Sequence, residues 1–366
     1  MMGRLRNRLA LGALTVLASC DAAERPRIGI ATNRSFADAA ALAVADAQAA
    51  WGELPADTVI AIESFTRAAV AIRSATDLAA NGVDAIVGHS SSAASLAAAP
   101  VYNENRIVQL SPQSSATAYS EAGPYSFRLV PPDDRQGEFI AASLRGMRGV
   151  ERVVVLYVND DYGRGLRSTL LAALDSGAPQ VVGEVPHLES SEQGPNDLDL
   201  ARSVIEQARP DAIVWLGRPI ILSRYLAMLR TFGPLPVLAS DAAAVVRAET
   251  GTDAWRDVWY VDFVDADASG PMQEFARRFS DRFGRPVTSA DLLTYDATRL
   301  LLQAAHDGAS SGPEIREWLH SLGRSRPAYE GITGAIRFDA KGDVDRSYVL
   351  VRAAGAVAEA AESAAE

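Results

Sequence analysis

The sequence predicts an α/β protein of two doubly wound, Rossmann-like units in succession. Three observations carry this. Short apolar runs alternate with helix-length segments, the signature of parallel strands joined by right-handed crossovers. The alternation restarts near residue 135. The chain has 366 residues, and a single core rarely grows past about 250–300, so two lobes are expected.

In the first unit, Arg27-Ile28-Gly29-Ile30-Ala31 reads as a strand, Asp38 to Ala50 as an Ala-rich helix, Val59 to Ile62 as a strand and Arg67 to Ala80 as a helix. Asp84 to Gly88 is a strand, Ser95 to Asn105 a helix and Ile107 to Leu110 a strand. The second unit runs helix 135–148, strand 153–157, helix 166–174, strand 181–185, helix 198–208, strand 212–216, helix 220–232, then strands 236–238 and 258–261. Two long helices follow, Gln273 to Phe283 and Leu292 to His306. Ala335 to Phe338 and Tyr348 to Val351 read as strands around a Lys341-Gly342-Asp343 turn, and 353–366 as a frayed Ala/Glu-rich tail.

Composition excludes several classes. With 35 basic and 46 acidic residues the net charge is −11, and no basic face points to nucleic acid. The one cysteine, Cys20, excludes an internal disulfide, a zinc ribbon and a CxxC motif. The one lysine, Lys341, precedes Gly342 and not Ser or Thr, which excludes a P-loop. His89, His187, His306 and His320 share no metal-ligand spacing. No metal or cofactor is implied.

Arg4, Arg6 and Arg8 precede an apolar run from Leu9 to Leu17, too short to span a bilayer of about 30 Å. The run ends in Leu17-Ala18-Ser19-Cys20, which resembles a bacterial lipobox. That resemblance implies a signal peptide over 1–19, lipid on Cys20 and a short linker to residue 26. Asp21 resembles an inner-membrane retention signal. The expected location is the periplasm, anchored to the inner membrane, or the outer face of the cell membrane.

Five motifs then fall in one order. Gly88-His89-Ser90-Ser91-Ser92 follows a strand, and Leu110-Ser111-Pro112-Gln113-Ser114-Ser115-Ala116-Thr117 follows the next. Tyr125-Ser126-Phe127-Arg128, Asp160-Asp161-Tyr162-Gly163-Arg164-Gly165 and the stretch from Gly334 to Asp343 complete the set. Together they resemble the leucine/isoleucine/valine-binding family of type I periplasmic binding proteins, over about residues 27–352. The resemblance implies two lobes joined by a hinge that the chain crosses three times. Lobe 1 would be 27–132 with 266–333, and lobe 2 would be 133–265 with 334–352. It implies lobe closure over a small ligand, an amino acid or related carboxylate or amide, no chemistry, and delivery to an ABC transporter permease.

Ligands of open α/β sheets sit at the carboxyl ends of the strands, where helix N-termini present free N–H groups. Ser92 and Ser115 stand at two such ends. In the relatives the positions of Ser92, Gln113 (main chain) and Ser115 hold the ligand's carboxylate, the position of Tyr162 touches ligand, and an acid near Asp241 pairs with the ammonium. Serine caps, a packed tyrosine and an aspartate N-cap would account for the same residues without a ligand. The loop Thr32-Asn33-Arg34-Ser35-Phe36 is shorter than the family's Gly-rich loop, so either Phe36 stands in for its aromatic or Arg34 enters the pocket. Arg218 replaces a second-lobe aromatic. Either arginine would suit a further anion, and the simpler reading of each is a solvated surface side chain.

Gly88 to Ser92 half-matches the hydrolase elbow around Ser90, with Asp291 and His306 downstream, but it lacks the final glycine that the strained turn needs. Asp160-Asp161 reads as a helix-capping loop and not as a metal site. The alternative to transport is a lipoprotein of the same fold with a degenerate cleft that acts through a protein partner, as activators of cell-wall synthases do.

Overall fold

The computed structural model describes residues 25–32, 34–62, 68–175, 177–188, 196–218, 221–242, 255, 257–263 and 270–353. The leader with Cys20 and Asp21, Asn33, the side chain of Arg34, Pro219 and the tail beyond Ala353 lie outside them.

The first unit runs β1 (Arg27–Thr32), α1 (Arg34–Trp51), β2 (Asp57–Ile62), α2 (Ala68–Ala80), β3 (Ala85–Gly88), α3 (Ser92–Glu104), β4 (Val108–Ser111) and β5 (Ser126–Arg128). The second runs α4 (Asp133–Gly146), β6 (Arg152–Val158), α5 (Asp161–Leu174), β7 (Gln180–His187), α6 (Asn196–Ala208), β8 (Ala212–Leu216), α7 (Leu222–Leu229), β9 (Val237–Ala239) and β10 (Val258–Asp262). Then come α8 (Pro271–Phe283), α9 (Ser289–His306), α10 (Gly312–Ser321), β11 (Tyr329–Gly331), β12 (Gly334–Ile336) and β13 (Val349–Arg352).

The first sheet is parallel, in the order β2-β1-β3-β4-β5. One face carries Ile28, Ala85 and Val87 into a core with α1, α8, α9 and α10, while the other carries Ala31 and Ile86 against α2 and α3. Burial on both faces explains why these strands read as continuous apolar runs. The second sheet has the order β13-β10-β9-β8-β6-β7, parallel except for β13. Val154, Leu156, Ile213 and Trp215 face α6 and α7, and Val153, Val155, Val214 and Leu216 face α4 and α5. Each sheet reverses its strand order beside a central strand, at β1/β3 and at β6/β8. That switch point opens a crevice at the carboxyl ends.

Gly88 ends β3 with φ +145°, and a Cβ there would fall 2.2 Å from the Ala31 carbonyl oxygen. Only glycine lets β3 turn this close to β1.

Around the Lys341 turn, Phe338 and Val344 form an antiparallel bridge, while β12 forms a hairpin with β11 and β13 pairs with β10. Ile336, Phe338 and Val344 also pack in the first core, with Phe127 and Phe338 edge to face at 5.2 Å. The stretch 336–344 therefore packs with the first sheet's core. The apolar partners that settle this are supplied by β5, a strand too short to show a period of its own.

Candidate functional site

The carboxyl ends of both sheets contribute to one connected set of side chains. Ser91 is the N-cap of α3, its Oγ accepting from Ala94 N at 3.3 Å. Ser92 Oγ reaches across to the β4 loop and accepts from Ala116 N at 3.2 Å. Ser115 is buried, and its carbonyl accepts from Asp133 N at 2.8 Å. Asp133 opens α4 where the chain crosses to the second sheet, and it is fully buried.

The second sheet brings Asp241, just past β9, and Tyr162, in the first turn of α5. Tyr162 Oη donates to Asp241 Oδ1 at 2.6 Å. Asp241 N donates to Gln136 Oε1 at 3.1 Å, and Gln136 lies one turn along α4 from Asp133. Tyr348, from the segment returning to β13, donates its hydroxyl to the Pro131 and Pro132 carbonyls at 3.2 and 3.3 Å. It thereby ties two of the passages between sheets together beside the acids.

Asp160 caps α5 through Gly163 N at 2.9 Å, as the sequence suggested. Gly163 is obligatory here, because a Cβ would lie 2.1 Å from the Val158 carbonyl oxygen. Asp160 Oδ2 also holds Arg218 Nη1 at 2.8 Å, and the Arg218 guanidinium lies over the Tyr162 ring at 5.6 Å. Arg218 is therefore not a solvated surface side chain, since only 13% of it is exposed. Its partners lie on another loop and were invisible in the local sequence.

The electrostatics are unusual in one respect. Burial pushes the Asp133 carboxyl well above the ordinary carboxylate range, and the charge of Asp241 pushes it the same way. A hydrogen bond from Ser115 and the charge of Arg128 oppose this. Burial also raises Asp241, against hydrogen bonds from Tyr162 and Gln136, the Ala242 backbone and the charge of Arg218. Asp133 Oδ2 is buried with no hydrogen-bond partner. Two buried acids sharing one enclosure, one with an idle oxygen, favour a cation brought from outside.

Of the residues singled out from sequence, Ser92, Ser115, Tyr162 and Asp241 join this chain of contacts. Gln113 does not; its N donates to Ser111 Oγ at 3.4 Å and its side-chain oxygen is buried without a partner. Phe36 is buried in the first turn of α1. His306 ends α9 stacked on Trp51 at 4.4 Å. Sequence reasoning missed Asp133, Gln136 and Tyr348. The Pro131-Pro132-Asp133-Asp134 run signals a helix start but not what that start faces.

Two doubly wound sheets whose carboxyl ends meet at one polar cluster have the architecture of a two-lobed protein with its site at the strand ends. The periplasmic binding protein family model matches residues 29–358, and the chain belongs to that family. Its members bind solutes outside the cytoplasm and are not enzymes. The chain is 25% identical over 323 residues to a Leu/Ile/Val-binding protein homolog of Brucella abortus, covering 84% of this chain and 81% of that one. An ABC transporter substrate-binding protein of Desulfitobacterium hafniense in complex with Leu superposes with TM-score 0.73 at 24% identity, over 89% of this chain and 97% of that one. A solute-binding protein of R. palustris in complex with benzoate gives 0.77 at 16% identity, over 90% and 93%.

Proposed function

We propose that the protein is a lipid-anchored solute-binding component of an ABC transporter, and that it captures an amino acid or a close zwitterionic relative. The single observation that carries this is the idle Asp133 Oδ2, buried beside Asp241. An ammonium group between Asp133 and Asp241 would satisfy that oxygen and let both acids ionise. The α3 N-terminus with Ser92 and Ser115 would take the carboxylate. The lobes would be 27–132 with 270–344, and 133–263 with 345–353, closing over the ligand. The closed form would dock on a permease, and lipid on Cys20 would keep it at the membrane.

Thermal unfolding with L-leucine, L-isoleucine, other L-amino acids and benzoate tests the ligand class. A ligand at 100 times its Kd should add about 2.7 kcal/mol. Asp133→Asn should abolish an amino-acid shift. An amino-acid shift that survives Asp133→Asn would overturn the ammonium role, and one that survives Ser92→Ala with Ser115→Ala would overturn the carboxylate site. Cys20→Ser tests the anchor, and membrane retention of that variant would refute it.

A further inference from the structure

We propose that Arg128 is a positioning residue for the ligand loop: it holds the two carbonyls that flank Ser115 and so presents Ser115 to the enclosure. This rests on the reading of Ser115 as a ligand contact. Arg128 ends β5 and is fully buried. Its Nη1 donates to the Ser114 carbonyl at 3.3 Å and to the Ala116 carbonyl at 2.9 Å. Its Nη2 donates to Ser120 Oγ, and its Nε to Asp343 Oδ1 at 2.6 Å. The other Asp343 oxygen accepts from Ser120 Oγ at 2.8 Å. One planar fork thus gathers the carbonyls on both sides of the loop's serine, the short 3-10 helix Thr117–Glu121 and an acid from the far end of the chain.

Asp343 is itself held in place. Asp339 Oδ1 accepts from Lys341 N at 2.8 Å and from Asp343 N at 3.0 Å, closing the turn. Arg128 N donates to the Gly342 carbonyl at 3.0 Å. A Cβ on Gly342 would fall 2.3 Å from the Ser126 carbonyl oxygen, so the turn lies flush on β5. The turn belongs to the segment that next crosses to β13 past Tyr348. Arg128 therefore joins the Ser115 loop to one passage between the sheets. Lysine cannot replace it, because a single ammonium cannot meet donor positions at Nε, Nη1 and Nη2 together.

Native-state hydrogen exchange of the full chain, without ligand, tests this. In Arg128→Lys the amides of Gln113 to Thr117 should exchange about tenfold faster or more, while Ile28 to Ala31 and Ala85 to Val87 in the same sheet keep their protection. Asp343→Asn should show the same local pattern by a smaller factor, as should Ser120→Ala, which keeps the test available if the lysine variant does not fold. Equal loosening of all these amides would mean that Arg128 only stabilises the lobe and would overturn the proposal, as would unchanged exchange at 113–117. L-leucine titrated onto the wild type and Arg128→Lys gives the second arm, with affinity expected to fall about tenfold or more, in line with the exchange. If the wild type binds none of the amino acids tested, the ligand reading fails by itself and the exchange result still decides Arg128.

Discussion

Tyr162 Oη donates to Asp241 Oδ1 at 2.6 Å, so the first turn of α5 and the end of β9 meet as one buried donor and acceptor. The hydroxyl supplies a bond that a desolvated carboxylate needs. Tyr162→Phe should destabilise the protein by about 1–3 kcal/mol at pH 7. The loss should shrink as pH falls through the raised Asp241 pKa and the carboxylate is lost, and denaturant unfolding at pH 7 and at lower pH measures the difference.

Asp133 and Asp241 set an alkaline-side slope. Both carboxyls are raised in the folded state, so between about pH 4 and their raised values the folded chain holds more protons than the unfolded chain. Stability of the ligand-free protein should therefore fall as pH climbs through that window. Asp133→Asn should flatten the slope and raise the unfolding midpoint at pH 8 relative to wild type. A steeper slope in the variant would contradict the assignment.

His187 works in the opposite direction. It stacks on Trp215 at 4.4 Å, neither ring nitrogen has a partner, and burial lowers its pKa from 6.5 to about 4. The unfolded chain takes up this proton first, so stability present above about pH 6.5 is lost as pH falls to about 4. His187→Phe keeps the stack and removes the titration. Its unfolding midpoint should gain on wild type between pH 6.5 and pH 4.

Two glycines of α5 should respond with opposite signs. Helix propensity alone favours alanine by about 0.5–1 kcal/mol at either. Gly165 has open space around it, so Gly165→Ala should gain about that much. At Gly163 the 2.1 Å approach to the Val158 carbonyl oxygen outweighs propensity, and Gly163→Ala should lose about 1–3 kcal/mol. Because Tyr162 is the adjacent residue, Gly163→Ala should also weaken any ligand that Asp241 holds. Thermal unfolding of the pair, with and without ligand, reads both effects.

Much of the strand and helix order was legible because it is local. The runs at 28–31, 85–88 and 153–156 are buried on both faces and read as uninterrupted apolar stretches. Asp160 announced the cap of α5 from the position just before its first residue. The three-residue strands β11 and β12 carry no period, and the partner of β13 lies on β10, far back in the chain. The site divides the same way. Ser92 and Ser115 were visible as residues at strand ends. Asp133 was hidden inside a Pro-Pro-Asp-Asp helix start, and Arg218 was expected in solvent until Asp160 and Tyr162 were seen to enclose it.

By itself the sequence determined the two α/β units, the strand ends that carry function, the exclusion of a P-loop and of disulfide and zinc-ribbon frameworks, and the resemblance to a solute-binding family. These follow from periodicity, punctuation and residue type, which act over a few neighbours. Only the tertiary structure decided that Gln136 bridges Asp133 and Asp241, that Tyr162 bonds the latter, that Arg128 grips both the Ser115 loop and Asp343, and that 336–344 belongs with the first core. The reason is physical. Desolvation and hydrogen-bond satisfaction depend on every group that closes around an atom, and here those groups come from both sheets and from the far end of the chain.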